Sequence, residues 1–209
     1  LDDGNELILI GTEAVSVDGL KANLDASGLS GALTATTLAV ADLTIKTGSA
    51  GNTINAQALT DGQILTLVGD DDATVNLTAG DLVGGAAYSG VLTVNVVTDT
   101  TSTSNSITTG TKNISIADAG TGTADDIAVI ATALNDGQLL TLTGTANYTV
   151  TALKGDILAS GASGTLDVTT GNAANISITV GGGGSNSVHA SALDDGNELI
   201  LIGTEAVSV

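Results

Sequence analysis

Residues 1–17 read LDDGNELILIGTEAVSV, and residues 193–209 repeat them letter for letter, one copy starting 192 residues after the other. A chain with such a period must form the same local structure twice and bury each copy against whatever flanks it. Repeat architectures meet this demand by stacking similar units on one continuous core. Identity at polar as well as apolar positions points to a recent tandem duplication, so the natural chain is expected to continue in both directions. Residues 1–192 then form one full period, and 193–209 begin the next.

A shorter, decayed repeat lies inside the period. Leu-x-Asp-Gly recurs at Leu1, Leu59, Leu134 and Leu193, which divides the chain into sub-units 1–58, 59–133 and 134–192. The second and third copies extend to LTDGQILTLVG (59–69) and LNDGQLLTLTG (134–144). Each unit then has a Ser-Gly pair followed by alternation, from Ser30, Ser89 and Ser163. An Asn-rich segment comes next: NTINA (52–56), NISIA (113–117) and NSVHA (186–190). The middle unit is about 17 residues longer, which reads as one additional short coil.

Apolar and polar residues alternate with a period of two, the pattern of half-buried strands. Strands are expected near 6–10, 13–17, 32–36, 64–68, 92–97, 139–143, 147–151, 165–169 and 175–180. The inward residues should include Leu7, Leu9, Leu65, Leu67, Leu140, Leu142, Leu166, Val168, Ile176 and Ile178. Asp-Gly, Ser-Gly and Gly-Asn pairs separate the strands, as residues able to take positive φ in tight turns. Only short Ala-rich pieces such as 124–133 suggest helix at all. The fold class is therefore all-β. We expect a β-solenoid, a parallel β-helix or β-roll, with two-sided coils of about 19 residues or three-sided coils of about 29. The alternative is a string of β-sandwich domains, but an immunoglobulin-like sandwich needs about 100 residues and usually a bulky core.

Composition supports a thin core. The chain has no Cys, Pro, Met, Phe or Trp, and its only aromatics are Tyr88 and Tyr148. Leu, Ile, Val and Ala alone can fill only a narrow gap between facing strands. There are 23 acidic and 4 basic residues, for a net charge of −19. Such a surface repels phosphate backbones and anionic membranes, so neither nucleic acid nor membrane insertion is expected. No apolar run approaches the ~18 residues of a membrane span. The chain begins at Leu1 and shows no secretion signal, so any such signal is expected to lie outside this sequence.

GGGGSNSVH, from Gly181, resembles the glycine-rich nonapeptide of the RTX (repeats-in-toxin) calcium-binding β-roll, G-G-x-G-x-D-x-U-x, where U is a large apolar residue. Gly181, Gly182, Gly184 and Val188 match, and Asn186 stands where that family has its ligand Asp. GSAGNTIN (48–55) is a looser match, with Asn52 near the Asp position. The resemblance implies a secreted solenoid of RTX-like ancestry, in which carboxylates would bind calcium between stacked turns. An Asn offers only a neutral oxygen to a hard cation, so bare hydrogen-bonded turns are expected here. The calcium candidates are Asn186 and the Asp-Gly turns at Asp3, Asp61, Asp136 and Asp195. The bland reading of those turns is Asp hydrogen-bonding its own turn while Gly takes the left-handed conformation. The run Asp70-Asp71-Asp72 reads as a solvated loop tip. No cofactor is required, and calcium is the one candidate.

Catalysis is not expected. There is no Arg, the cations are Lys21, Lys46, Lys112 and Lys154, and His189 is the sole possible imidazole base. His189 sits at an alternating position of a strand, which suits a surface residue. The pairs Thr34/Thr36, Thr141/Thr143 and Thr149/Thr151 have the Thr-x-Thr spacing of ice-binding solenoids, but fall at different places in their repeats and are not expected to align. The expected function is a structural shaft or spacer of a giant extracellular or bacterial cell-surface repeat protein, in a filament, matrix or adhesin stalk. Its partners would be neighbouring identical repeats, through end-to-end or lateral self-association. The alternatives are a glycan- or surface-binding adhesin module, a polysaccharide-acting β-helix enzyme and an ice-binding solenoid.

Overall fold

A computed structural model describes residues 1–2, 4–97, 104–119 and 126–209. Its strands follow the sub-repeats. The first unit holds β1 (Glu6–Gly11), β2 (Val15–Leu20), β3 (Asn23–Leu29), β4 (Leu33–Thr37), β5 (Asp42–Lys46) and β6 (Asn52–Asn55). The second holds β7 (Ile64–Val68), β8 (Ala73–Leu77), β9 (Asp81–Val83), β10 (Leu92–Val96), β11 (Ser104–Thr108), β12 (Ile114–Asp118) and β13 (Asp126–Ile130). The third holds β14 (Leu139–Gly144), β15 (Asn147–Leu153), β16 (Asp156–Ala162), β17 (Leu166–Thr170), β18 (Asn175–Thr179) and β19 (Asn186–His189). The repeated end supplies β20 (Glu198–Ile202) and β21 (Val207–Ser208). The only helical piece among the described residues is a single 3-10 turn, Gly85–Ala87.

Odd-numbered strands form one sheet of eleven and even-numbered strands a second sheet of ten. Every pairing joins strand n to strand n+2, in parallel. The chain therefore winds as a two-sided β-solenoid, two strands to a coil. The three-sided coil and the sandwich are both excluded, the latter because it needs antiparallel neighbours. Coils average about 20 residues: β1 and β21 begin 201 residues and ten coils apart.

Alternation places one side chain in two between the sheets, and parallel register stacks those side chains in columns. In the eleven-stranded sheet Leu43, Leu65, Leu82, Ile107, Val129, Val150, Val168 and Val188 form such a column. Ala35, Ile54, Val75, Val94, Ile116 and Leu142 face it from the other sheet. All of these are buried, and each large aliphatic withdrawn from water contributes about 2 kcal/mol. Both sheets are covered on the inner side only, which preserves the polar-out alternation. Of the expected inward residues, Leu65, Leu67, Leu140, Leu142, Leu166, Val168, Ile176 and Ile178 are buried. Leu7 and Leu9 are half-buried, because β1 lies in the first coil and has a neighbour on one side only. The two tyrosines also point inward: Tyr88 donates to the Asp71 carbonyl at 2.6 Å and Tyr148 to the Thr143 carbonyl at 2.7 Å.

The Ser-Gly pairs correct one sequence expectation. Gly31, Gly90 and Gly164 do not have positive φ. They are glycines because the neighbouring coil passes too close: a Cβ on Gly90 would lie 2.1 Å from the Asp71 carbonyl oxygen, and one on Gly164 2.0 Å from that of Ala146. The Asp-Gly turns do use the left-handed region, with φ of +75° at Gly62 and +72° at Gly137.

Two further expectations change together. The described part of the Ala-rich stretch, from residue 126 on, is no helix, since Asp126–Ile130 is strand β13, with Ile127 and Val129 buried. Among the described residues that strand is the only one the longer middle unit adds, so the insertion is half a coil and not a whole one. The half coil reverses the phase of everything after it. LTDGQILTLVG forms β7 in the eleven-stranded sheet, whereas LNDGQLLTLTG forms β14 in the ten-stranded sheet. Likewise β1 and its sequence-identical copy β20 are nineteen strands apart and lie in opposite sheets. The terminal copies are related by a translation of about 46 Å, nine and a half coils at ~4.8 Å each, together with a half-turn about the axis. Translation with a mild twist, the simpler expectation, is not what the chain does.

Close stacking makes a clear prediction. Gly90→Ala should lower the free energy of unfolding in urea by about 1–3 kcal/mol through overpacking. Gly51→Ala, where a Cβ meets nothing within 4 Å, should change it by less than about 1 kcal/mol.

Candidate functional site

A rod of this kind offers its two outer faces, and they differ in chemistry. On the ten-stranded sheet, outward positions stack as Thr34, Thr53, Thr74, Thr93, Ser115 and Thr141. Beside them run Thr36, Asn55, Asn76, Asn95, Ala117 and Thr143. Neither column contains a charged residue over six strands, in a chain of net charge −19. The asparagines form a ladder: Asn76 Nδ2 donates to Asn55 Oδ1 at 2.7 Å, and Asn95 Nδ2 to Asn76 Oδ1 at 2.9 Å. These bonds hold the amide planes in order and make the face a fixed grid, about 4.8 Å along the axis and about 6.6 Å across it.

This grid corrects the expectation that the Thr-x-Thr pairs would not align. Thr34/Thr36 and Thr141/Thr143 lie in the same two columns, although their repeats differ, because coils between them supply Thr and Asn at the matching register. Only Thr149/Thr151, on β15, belongs to the other sheet.

The outer face of the eleven-stranded sheet carries charge, at Glu6, Asp25, Asp42, Lys46, Asp81, Asp126 and Asp167. Lys46 lies 2.6 Å from Asp25 and 3.3 Å from Glu6, tying three successive coils. The Lys46 ammonium, helped by the Ser27 hydroxyl and amide, lowers the Asp25 pKa to about 2, and Asp25 in turn raises that of Lys46. On the same face the Asp167 carboxylate accepts from Ser187 Oγ at 2.7 Å and stands 3.5 Å from His189 Nε2. Here the carboxylate sits between hydroxyl and imidazole. A Ser-His-Asp triad has the imidazole in the middle.

The calcium candidates are scattered. Asp61, Asp136 and Asp195 are exposed in turns. These turns are closed by backbone bonds, Gln63 N–H to Thr60 C=O, Gln138 N–H to Asn135 C=O and Asn197 N–H to Asp194 C=O. No carboxylate of the three accepts a hydrogen bond among the described residues, so the expected Asp side-chain bond to its own turn does not form. Asp3 lies outside the described residues. Asn186 points inward: it is buried, and its Oδ1 accepts the Leu166 N–H at 3.2 Å. Among the described residues no three carboxylates or imidazoles converge on one point. No helix among them is long and apolar enough to cross a membrane.

Asn52 and Asn186 do hydrogen-bond at their turns, as expected of these two motifs; what sequence reasoning missed is that such side chains face inward, and that Asn105 and Asp118 act likewise. Asn52 accepts from Gly48 N–H and donates to the carbonyls of Gly48 and of Asp72, one coil on. Asn105 donates to the carbonyls of Thr78 and Gly80 on the coil before. Asp118 accepts from both the amide and the hydroxyl of Thr145. These side chains satisfy backbone groups at the corners, where the sheets end and the ladder is interrupted. Their signal was an Asn on the apolar phase of the alternation, in NTIN and NSVH.

No protein-family model, curated protein or solved structure matches the chain.

Two outcomes are expected. Asp25 has a lowered pKa in the fold, so its contribution to stability is present above about pH 4 and is lost as the pH falls through about 2. Lys46→Met should make the decline in Tm between pH 4 and pH 2 shallower than in the parent chain. Calcium added in calorimetry, against a chelator control, should leave Tm unchanged; a rise of several degrees would restore a calcium β-roll.

Proposed function

We propose that the chain is a length-setting shaft segment of a larger extracellular or bacterial cell-surface repeat protein. The observation that supports this most is the way the sequence period enters the stack: residues 193–209, identical to 1–17, pair in parallel register with β18 and β19 as one more coil of the same solenoid, so that repeating the period lengthens a single continuous core. The RTX-like glycine motif and the acidic surface agree with a secreted rod, and on this reading the chain is not catalytic.

A second reading has one observation in its favour. The uncharged Thr/Asn grid is flat, ordered and regularly spaced, which suits a flat hydroxylated surface such as packed polysaccharide or ice. On that reading Thr74→Lys combined with Thr93→Lys abolishes adsorption to uncharged polysaccharide and any ice-growth inhibition. The shaft reading leaves both assays blank in the parent chain as well.

The shaft reading is tested by length. A two-period chain, 1–192 followed by 1–209, should form one rod longer than the single chain by about 46 Å, measured by small-angle scattering or electron microscopy. Two separately tumbling bodies would overturn it.

A further inference from the structure

We propose that the groove beside β6, β8 and β10 binds a single chain of neutral polysaccharide, with the Asp72 carboxylate and the Thr53, Thr74 and Thr93 hydroxyls as its hydrogen-bonding groups. This goes beyond the shaft reading. It rests on the flat-face reading in its class of ligand, and narrows that reading to one site and one strand of sugar. The groove lies in interior coils, each with a neighbour on both sides.

Parallel register builds the site. Asn52, Ala73 and Leu92 pair in the inward column, and Thr53, Thr74 and Thr93 pair in the outward one. The residues just before them, Gly51, Asp72 and Val91, stack at the corner. The Thr column runs along one side of the groove and the corner residues along the other, with Asn52 and Ala73 between them. A Cβ on Gly51 would meet nothing within 4 Å, and this missing side chain opens the flank. The space is about 390 Å3, within the roughly 300–1,000 Å3 of small-molecule sites. Asp72 is held in place from two directions. Its Oδ1 accepts the Val91 N–H at 3.0 Å, and its carbonyl accepts the Asn52 N–H at 3.1 Å and Asn52 Nδ2 at 3.2 Å. Among the described residues, Asp72 Oδ2 and the three Thr hydroxyls make no hydrogen bond.

These groups select the ligand. An ionised carboxylate only accepts hydrogen bonds, whereas a hydroxyl donates and accepts. Adjacent hydroxyls of a sugar ring supply the paired donors that a fixed carboxylate takes, in charge-assisted bonds about twice as strong as neutral ones. The remaining ring hydroxyls match the Thr row, which repeats about every 4.8 Å. Val91, 43% exposed, offers an apolar contact to the C–H face of a ring. No lysine lines the groove, and a net charge of −19 repels acidic glycans. A single carboxylate in an open groove is too little to strip a divalent cation of its water. Each period carries one such groove, so a long shaft holds a long glycan through many weak contacts.

Titration with soluble tetrasaccharides of glucose, mannose and galactose, followed by amide NMR, tests this. At least one of them should bind the parent chain with a Kd of about 1 mM, with shifts centred on residues 51–53, 72–74 and 91–93. Asp72→Asn keeps an oxygen for the Val91 N–H and loses the charge. It should weaken binding at least tenfold and leave Tm unchanged. Gly51→Leu fills the groove from a position without positive φ, and should abolish binding in a folded chain.

Binding that both variants leave unchanged overturns the proposal. So does a lysine tetrapeptide that shifts the same amides at lower concentration than any of the sugars, since the groove would then be a site for cations. Thr141→Lys charges the Thr column outside the groove, and should leave tetrasaccharide binding as it is. If it abolishes that binding, the contact lies on the flat face and the groove is overturned. A parent chain that adsorbs to packed polysaccharide but binds none of the three tetrasaccharides would sink the groove alone. One that does neither would sink the flat-face reading with it.

Discussion

The parallel hydrogen-bond ladder between successive coils is the interaction on which the rest of this structure depends. It sets the ~4.8 Å repeat, and in doing so it forces residues of equal phase into columns. An apolar column becomes core, and a polar column becomes a face. Because the ladder recurs in every coil, each side chain meets a neighbour of the same orientation a few ångströms away. Like charges in a column repel, so the long columns of the ten-stranded face carry Thr and Asn, whose hydroxyl and amide groups can bond along the stack. On the opposite face, where charges are admitted, Lys46 pairs with both Asp25 and Glu6.

The same close spacing governs the corners. Two sheets about 10 Å apart leave room for one aliphatic layer, and the chain must reverse within a few residues. Glycine is needed where the backbone of the adjacent coil comes within the reach of a Cβ, as at Gly90 and Gly164. Buried Asn and Asp side chains take over hydrogen bonding where the ladder lapses. The two tyrosines act in the same way, each with a buried ring and a hydroxyl on a corner carbonyl. Loss of that hydroxyl would leave a part-buried carbonyl without its partner, at a cost of up to about 1–3 kcal/mol.

A solenoid has no natural end, and this shapes its function. Stability is close to a sum over coils and their contacts, so length can change by whole or half coils without remaking the core. Strand β13 is such a half coil. Adding it moved every later sub-repeat to the opposite sheet while the inward alternation continued undisturbed, as the column through Ile107, Val129 and Val150 shows. Duplicating the whole period would then place identical surfaces on alternate sides of a rod, a symmetry arising from the count of strands and from no individual contact.

Much of this was legible in the residues. Period-two alternation identified nine of the strands and the inward phase of Leu65, Leu67, Val168 and Ile178, because burial on one face leaves little freedom in register. The missing aromatics indicated a thin core, and the duplicated ends indicated stacking. The three-residue β9 was not separable from a loop, since so few residues give too little alternation to read, and the seven-residue β3 and β16 were not picked out because a bulge interrupts their alternation. What the sequence alone determined was therefore the class of architecture and which side of each clear strand faces inward, both being local consequences of alternation. Tertiary structure decided the two-sided coil, the phase reversal at β13, the alignment of Thr34 with Thr141 and the inward turn of Asn186. Each of these depends on how many strands lie between two residues and on which coil is their neighbour, and loop length between strands carries no signature of that count.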